Sequence, residues 1–405
     1  MTYQTVQQSI QSAIIEALKK FGVFDAPQIR LTQPPSGDMG DVSFPCFDVA
    51  SLLKKNPVEI ARELAAAIAP NDIIKEARAV GPYLNFFIKD SVLFESIVER
   101  TREEGEGAGN SDIGNGETIL LEYLSPNTNK PLHIGHVRNA CIGDSLARIL
   151  ESQGWNVLRV QIINDRGAHI CKSMLMYQKY GKGKTPEQEG MKPDHFVGKF
   201  YEMFEREAVD NPSLQEEAKE MLRKWEKGDL ETRALWEKLN VWVYEGWKET
   251  IKNLAIQNEK DRLYYESEIY EKGKEVVQTG LRGGIFYTRD DGAVEIDLTS
   301  DGLDKKVLLR ADGTSIYITQ DLYLALVRAR EFPKAIGCIY VVGKDQEYHF
   351  KVLFILLKKL GFEKKCHHLS YGMMRLQTGK MSSRKGTVVN ADDLIERVKN
   401  LALEE

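Results

Sequence analysis

The spacing of apolar residues divides the chain into two folded regions joined by a polar stretch. Apolar side chains recur at helical spacing within the first 22 residues: Val6, Ile10, Ile14, Ile15 and Leu18. This spacing predicts an amphipathic first helix, and the helices and short strands after it predict a small α+β domain over residues 1–103. Residues 104–117 are rich in glycine and acid without an apolar period, so we interpret them as a linker.

Local signals place further elements within residues 1–103. Asn56 followed by Pro57 is typical of a helix start, so we expect a helix over 57–68. The other predicted elements are strands over 28–32, 77–80 and 83–88, a polar loop over 33–41, and a helix from Ser91. The acidic and glycine residues of that loop lack the later ligands of a calcium loop, so we interpret them as a turn.

Beyond the linker, apolar runs alternate with helical segments. We expect a strand over 118–124, a helix over 137–150, and strands at 156–163, 293–297, 307–310 and 338–342. The alternation predicts an α/β domain over 118–390 whose mainly parallel sheet has helices on both faces. Strand signals vanish over 179–256, which predicts a helical insertion packed around its tryptophans, and residues 391–405 predict the start of another helix.

The overall composition is that of an ordinary soluble protein, with 42% hydrophobic and 28% charged residues. No apolar run reaches 18 residues and the N-terminus lacks the pattern of a signal peptide, so we expect a cytoplasmic protein without a membrane span. The five cysteines are widely spaced without a C-x-x-C pair, which supports neither a disulfide scaffold nor a structural zinc site.

Charge is unevenly distributed. The net charge is −5, yet residues 350–399 hold eleven lysines and arginines against four acids. This local excess of positive charge suits a polyanionic partner. A solvated helix face is the alternative interpretation.

The most informative stretch runs from Ser125 to His136 and ends in His133-Ile134-Gly135-His136, here called the histidine turn. It joins the predicted strand 118–124 to the predicted helix 137–150. Free N–H groups and the helix dipole make such a helix start a good site for phosphate. We predict that the two histidines donate hydrogen bonds to a nucleotide during nucleotidyl transfer, and that Gly135 leaves room for adenine.

A second signal, here called the lysine motif, covers Gly379 to Gly386. Small residues bounded by glycines favour a loop, and its three cations, Lys380, Arg384 and Lys385, could close over a triphosphate. Taken alone, the run could equally be a solvated surface loop.

Together the two motifs resemble the HIGH and KMSKS motifs of class I aminoacyl-tRNA synthetases. The extended block from Glu122 to Arg138, and Tyr317-Ile318-Thr319-Gln320-Asp321, resemble the arginyl-tRNA synthetase version. The resemblance covers essentially the whole chain and implies a Rossmann-like, HUP-type catalytic domain. Ser383 stands where the class pattern has lysine; in that family the loss is common, and the lysine before HIGH, here Lys130, is thought to compensate.

The resemblance implies roles for particular residues. As catalytic residues it implies His133, His136, Lys130, Lys380 and Lys385, and as ATP-binding residues His133, Gly135, His136, Met381, Ser382 and Ser383. For arginine it implies Glu122, Ser125, Asn127, Glu266, Tyr317, Asp321 and Gln346. The residues themselves agree in part, because Tyr317 and Asp321 would share one helix face and a guanidinium requires a carboxylate.

The implied activity is ligation of arginine to tRNA(Arg) in protein synthesis, with ATP and Mg²⁺ and without a metal held by the protein. We expect a monomer whose N-terminal domain touches the tRNA elbow. Members of the family usually continue past the lysine motif into an anticodon-binding domain, so we expect a truncated chain. The alternatives are another class I synthetase, a small-molecule nucleotidylyltransferase, and a non-catalytic binding protein descended from a synthetase.

Overall fold

The computed structural model describes residues 3–25, 28–257, 260–376, 379–380 and 389–404. They form two compact units, Met1–Asn110 and Ser111–Glu405. The boundary between the units falls inside the segment 104–117 that we interpreted as a linker. The end of that segment belongs to the second unit, because the amides of Ser111, Gly114 and Gly116 donate to the carbonyls of residues 152–154.

The first unit packs helices on a small antiparallel sheet. Its elements are α1 (Tyr3–Lys20), β1 (Val42–Pro45), α2 (Phe47–Leu53), α3 (Pro57–Ala67), β2 (Ile74–Val80), β3 (Tyr83–Ile88) and α4 (Asp90–Glu104). The strands pair in the order β1-β3-β2, and the predicted α+β architecture is confirmed. The strand expected over 28–32 is wrong, because that stretch makes only an isolated bridge, Thr32 to Ser43.

The start of α3 follows from its cap. The Asn56 side chain accepts a hydrogen bond from the Val58 amide at 2.9 Å. Replacing Asn56 by alanine removes this acceptor, so we expect the free energy of unfolding to fall by about 1 kcal/mol. A lower urea midpoint would show this effect. Asn56→Asp keeps a capping oxygen and serves as the control, so an equal loss in both variants would contradict the capping role.

The second unit contains the remaining elements. They are β4 (Thr118–Glu122), α5 (Ile134–Ser152), β5 (Asn156–Ile163), α6 (Ala168–Tyr180), α7 (Pro193–Asp210), α8 (Ser213–Glu226), α9 (Leu230–Asn253), β6 (Arg262–Tyr265), α10 (Glu266–Ile269), α11 (Gly273–Arg282), β7 (Tyr287–Thr288), β8 (Val294–Ile296), β9 (Lys306–Leu309), α12 (Tyr317–Glu331), β10 (Ala335–Gly343), α13 (Glu347–Lys359), β11 (Lys365–Tyr371), β12 (Arg375–Leu376), β13 (Gly379–Lys380) and α14 (Ala391–Glu404).

A five-stranded sheet in the order β11-β10-β4-β5-β6 forms the centre of this unit. All four neighbouring pairs are parallel, so the expected parallel sheet is confirmed. After β4, the chain adds β5 and then β6 on one side of β4. It later adds β10 and then β11 on the other side. Ligands of such sheets bind where the strand order reverses, outside the carboxyl ends of the strands. That position lies between the ends of β4 and β10.

One sequence expectation about this sheet was wrong, and two of its strands were missed. The predicted strands at 293–297 and 307–310 form, as β8 and β9, but they lie in a separate three-stranded sheet, in which β8 pairs antiparallel with both β7 and β9. The edge strands β6 and β11 were not predicted. The reason is their composition, since β11 carries Lys365, His367 and His368 and shows no continuous apolar run.

The helical region between β5 and β6 comprises α6 to α9. Trp225 and Trp247 are buried in it, and the Trp236 indole N–H donates to the Asp165 carbonyl. Their burial agrees with the packing role that we expected. Among the described residues, no helix combines the length and the apolar character that crossing a membrane requires.

Candidate functional site

A cavity of about 770 Å³ opens at the predicted position between the ends of β4 and β10. Seven of the residues that the sequence suggested line it: Glu122, Ser125, Asn127, His133, Gly135, His136 and Gln346. They come from β4, from the loop after it, from the start of α5 and from the turn after β10. The topology therefore gathers residues that are more than 200 positions apart in sequence.

The histidine turn forms the N-terminal cap of α5. His133 Nδ1 accepts a hydrogen bond from the Gly135 amide at 3.1 Å, and His136 Nδ1 accepts one from the His133 amide at 3.1 Å. The two imidazole rings stack with their centroids 3.8 Å apart. Two side chains thus satisfy backbone donors that a helix start would otherwise leave without partners.

Both imidazoles of the turn are neutral at physiological pH. Burial lowers the pKa of His133 to about 4, and the nearby Lys130 ammonium adds to this effect. Burial also lowers the pKa of His136 well below its ordinary value, and the Lys130 ammonium adds to this effect. Because each Nδ1 accepts a hydrogen bond, each Nε2 must carry the ring proton. The turn therefore presents two neutral N–H donors.

Gly135 is closely packed within the turn. A Cβ atom at this position would lie 3.0 Å from His133 Cε1 and 3.1 Å from His133 Nδ1. Any side chain would therefore push against the imidazole that caps the helix. The glycine keeps the two rings in their stacked arrangement, in addition to the room for adenine that the sequence suggested.

Asn139, one turn further along α5, holds the floor of the cavity together. Its Oδ1 accepts from the Leu124 amide at 2.6 Å, and its Nδ2 donates to the Val341 carbonyl at 2.7 Å and to the Tyr371 hydroxyl at 2.9 Å. These bonds fix the end of β4, where Leu124 has a left-handed φ of 55°, relative to β10 and β11. Sequence reasoning missed this residue, although it follows His136 at helical spacing.

Lys130 lies on the side of the helical region. Its ammonium is 5.8 Å from the centre of the Tyr201 ring on α7, and its carbonyl accepts from the Trp247 indole N–H at 3.2 Å. Burial lowers the pKa of Lys130, although the Glu205 carboxylate opposes the change. The ammonium adds positive potential near the histidines, which lowers their pKa values further than burial alone.

The Glu122 carboxylate is paired within the protein. Its Oε2 accepts a hydrogen bond from the guanidinium of Arg328 on α12, whose side chain is only 2% exposed. We expected Glu122 to face a substrate guanidinium. The structure shows that at least one of its oxygens is bonded to a guanidinium of the protein itself. The only signal for Arg328 in the sequence is a charged residue among the apolar positions of α12.

The predicted acid Asp321 is part of α12 itself. Asp321 Oδ2 is 2.7 Å from Nε2 of His349, which is on α13. Tyr317, one turn earlier, is 74% exposed. Arg328 lies on the same face of α12 as Asp321, because seven residues make about two helical turns. Neither Tyr317 nor Asp321 lines the 770 Å³ cavity itself.

Glu266 is a buried carboxyl group with a raised pKa. It is 5% exposed, and burial raises its pKa to about 7 despite the opposing charge of Arg166. The neighbouring Asp165 carboxylate holds this segment, because it accepts from the Ser267 amide at 2.8 Å and from the Ser267 hydroxyl at 2.7 Å. A group that takes up a proton near neutral pH responds strongly to an arriving cation.

The lysine motif falls largely outside the described residues. Met381, Ser382, Ser383 and Lys385 lie there, and of Lys380 only the backbone is described, in β13. The chain after the motif returns to the histidine turn. The Ile134 amide donates to the Val389 carbonyl at 3.0 Å, and the Ala391 amide donates to the Leu132 carbonyl at 2.9 Å.

Comparison with known protein families gives two matches. Residues 103–405 match the family described as "tRNA synthetases class I (R), catalytic domain". Residues 6–88 match the family described as "Arginyl tRNA synthetase N terminal domain". Between them these matches include nearly every residue of the chain.

Individual relatives point the same way. The chain is 49% identical to an arginine–tRNA ligase of Treponema denticola in an alignment of 385 residues, which covers 93% of the chain and 65% of that protein. It is 43% identical to an arginine–tRNA ligase of Parabacteroides distasonis, with 98% of the chain and 70% of that protein covered. The chain thus spans just under two thirds of the Treponema relative.

A solved structure has a similar fold. The arginyl-tRNA synthetase of Thermus thermophilus superposes with a TM-score of 0.68 at 27% identity, and the match covers 98% of this chain and 70% of that one. The similarity extends over nearly all of this chain.

Proposed function

Because this chain belongs to the class I arginyl-tRNA synthetase family, we propose that it activates arginine with ATP and transfers the arginyl group to tRNA(Arg). The observation that carries the proposal is the pair of neutral N–H donors at the start of α5, at the mouth of the cavity that Glu122, Ser125 and Asn127 also line. Such donors suit a reaction in which negative charge develops on phosphate oxygens.

In the first step, a carboxylate oxygen of arginine attacks the α-phosphorus of ATP. The bond from that phosphorus to the bridging oxygen breaks, and pyrophosphate leaves with its Mg²⁺. His133 and His136 stabilise the charge that builds on the α-phosphate oxygens, each through its Nε2–H, and the N-terminus of α5 adds its dipole. In the second step, the terminal ribose hydroxyl of tRNA attacks the arginyl carbonyl carbon and loses its proton. The bond from that carbon to the phosphate oxygen breaks, and AMP leaves.

We assign the arginine side chain to acids of α12 and α10. Asp321 and Glu266 supply negative charge for the guanidinium, and Tyr317 bounds its plane. Ser125, Asn127 and Gln346 hold the α-amino and α-carboxylate groups. We assign Oε1 of Glu122 to the substrate, because Oε2 is already bonded to Arg328.

The remaining roles rest on the resemblance of the sequence to the family. We propose that Lys130, Lys380 and Lys385 neutralise the triphosphate, and that Met381, Ser382 and Ser383 contact ATP. The first unit would touch the elbow of the tRNA, and the excess of positive charge over 350–399 would attract the polyanion. We propose a cytoplasmic monomer that holds no zinc.

The decisive test is ATP–pyrophosphate exchange with each of the twenty amino acids, with and without tRNA. We expect arginine alone to support exchange, because its guanidinium is permanently charged and planar and can bond a carboxylate through two N–H groups. Exchange that is driven by a different amino acid would overturn the assignment. Comparing the reactions with and without tRNA also shows whether activation requires it.

The pKa of Glu266 predicts how arginine affinity depends on pH. Below about pH 7 the free carboxyl is protonated, and a bound guanidinium favours the ionised form. Arginine binding must then release a proton, so we expect its Kd to fall up to about tenfold per pH unit as pH rises to 7, and to level off above. Calorimetric titrations between pH 5.5 and about 8 would measure this dependence.

Two variants test whether Glu266 causes the pH dependence of the Kd for arginine. Glu266→Gln cannot ionise, so its Kd should lose the pH dependence. Glu268→Gln removes an exposed acid from the same helix and should retain it. If the Kd of Glu266→Gln depends on pH as steeply as the Kd of the original chain, another group releases the proton.

A further inference from the structure

We propose that Asp392 is a positioning residue for the histidine turn. Its carboxylate joins the first turn of α14 to α7 and α9, and thereby holds the backbone strand that pairs with residues 132–134. This inference rests on the activation reaction proposed above, because its consequence is the placement of His133 and His136.

The Asp392 carboxylate receives three hydrogen bonds from the helical region. Oδ2 accepts from Lys192 Nζ at 2.8 Å and lies 2.8 Å from His195 Nε2. Oδ1 accepts from the Thr250 hydroxyl at 2.8 Å. His195 is in the first turn of α7, with Lys192 immediately before that helix, and Thr250 is near the end of α9. One side chain therefore ties α14 to two other helices.

The residues just before Asp392 run antiparallel to the histidine turn. His133 and Asn390 form an isolated antiparallel bridge, flanked by the bonds from the Ile134 amide to Val389 and from the Ala391 amide to Leu132. Because Ala391 adjoins Asp392 in sequence, a shift of the carboxylate moves this pairing directly. His133, which caps α5, is the central residue of the paired segment.

The same two helices also hold the residues before the turn. Trp247 of α9 donates to the Lys130 carbonyl, and Gly198 of α7 lies so close to Pro131 that a Cβ atom there would be 2.6 Å from Pro131 Cδ. The helical region thus contacts residues 130–131 directly and residues 132–134 through Asp392. Loss of the Asp392 bonds would leave residues 132–134 without this support from the helical region.

The charges around Asp392 fit a structural anchor. Burial would raise its pKa, but hydrogen bonds from His195, Lys192 and Thr250 outweigh that effect and hold the pKa well below the ordinary value. The hydrogen bond to Asp392 raises the pKa of His195, and burial raises the pKa of Asp194 nearby. Ligand atoms of Asp194, His195 and Asp392 lie within 4.8 Å of one another, yet the Lys192 ammonium contacts both carboxylates and already supplies the cation.

The test compares Asp392→Asn with Asp393→Asn in the 405-residue chain. Asparagine has only one acceptor oxygen. Its NH₂ group must therefore take the place of Oδ1 or Oδ2, where it faces either the Thr250 hydroxyl or the donors Lys192 and His195. Asp393 is exposed in the same helical turn, so its variant reproduces the charge change at the start of α14 without touching the anchor. Hydrogen exchange of peptides covering 130–137 and 389–394 is measured alongside ATP–pyrophosphate exchange.

For Asp392→Asn we expect at least about tenfold faster hydrogen exchange in both peptides, as loss of one charge-assisted hydrogen bond would give. We also expect kcat to fall about tenfold or more with KM for ATP and arginine nearly unchanged, because the donors lose alignment with the transition state. Asp393→Asn should match the original chain in both measurements. Unchanged hydrogen exchange at 130–137, or an unchanged kcat, would overturn the proposal.

Thr250→Val provides a second, milder variant should Asp392→Asn not fold. It removes one of the three donors, and we expect the same two effects at smaller size. A fall in melting temperature without a change in either reading would show a purely structural role and overturn the proposal. If the original chain shows no arginine-dependent exchange, the proposed function fails, and hydrogen exchange alone decides whether Asp392 holds residues 132–134.

Discussion

Asp321→Ala is expected to raise the KM for arginine by about 100-fold or more. The assigned guanidinium would lose its main counter-charge, and truncating one partner of a close charged pair costs about 2–5 kcal/mol. The structure adds that Asp321 is held in place by His349, whose Nε2 lies 2.7 Å from Oδ2. The carboxylate is therefore oriented before the substrate arrives.

Steady-state exchange kinetics with varied arginine would measure this effect. KM for ATP should change little, because Asp321 does not line the cavity at the histidine turn. Asp290→Ala, at an exposed acid after β7, controls for the change in net charge. Should arginine KM stay within about threefold of the original value, the carboxylate has no direct role in recognition.

His136→Ala is expected to lower kcat by about 100-fold or more, with KM for arginine nearly unchanged. The change removes an N–H donor that acts most strongly in the transition state, and such losses cost about 10²–10³ in kcat. It also removes the acceptor that caps the His133 amide, so the alanine variant alone combines two effects.

His136→Asn separates the two effects. Its side-chain oxygen can reach the position of Nδ1 and keep the cap, while the donor at Nε2 is lost. A similar fall of kcat in both variants therefore identifies the donor as the cause. His367→Ala, an exposed histidine on β11, should leave kcat unchanged. Full activity of His136→Asn would assign His136 to helix capping alone.

Much of the fold could be predicted because its signals are local. The strand before the histidine turn contains the apolar run 119–121, and the start of α3 has an asparagine cap followed by proline. Local patterns do not determine which strands pair. The runs at β8 and β9 have ordinary strand composition, and nothing in them distinguishes a small antiparallel sheet from the central parallel one.

The candidate site divides in the same way. The histidines, Gly135 and Ser125 lie within one short segment, so their proximity could be predicted. The partners that hold them come from distant parts of the chain: Asn139 reaches Val341 and Tyr371, and Arg328 reaches Glu122. Such pairings depend on the three-dimensional packing of buried polar groups, which a single sequence does not contain.

The strand order has a consequence for synthesis on the ribosome. The first unit uses only residues before 111, and can complete its core while the remainder of the chain is still emerging. The crevice, in contrast, needs both β4 and β10, so it cannot form until translation has passed residue 343. A nascent chain should therefore acquire nucleotide affinity late and abruptly, only after β10 has been synthesised.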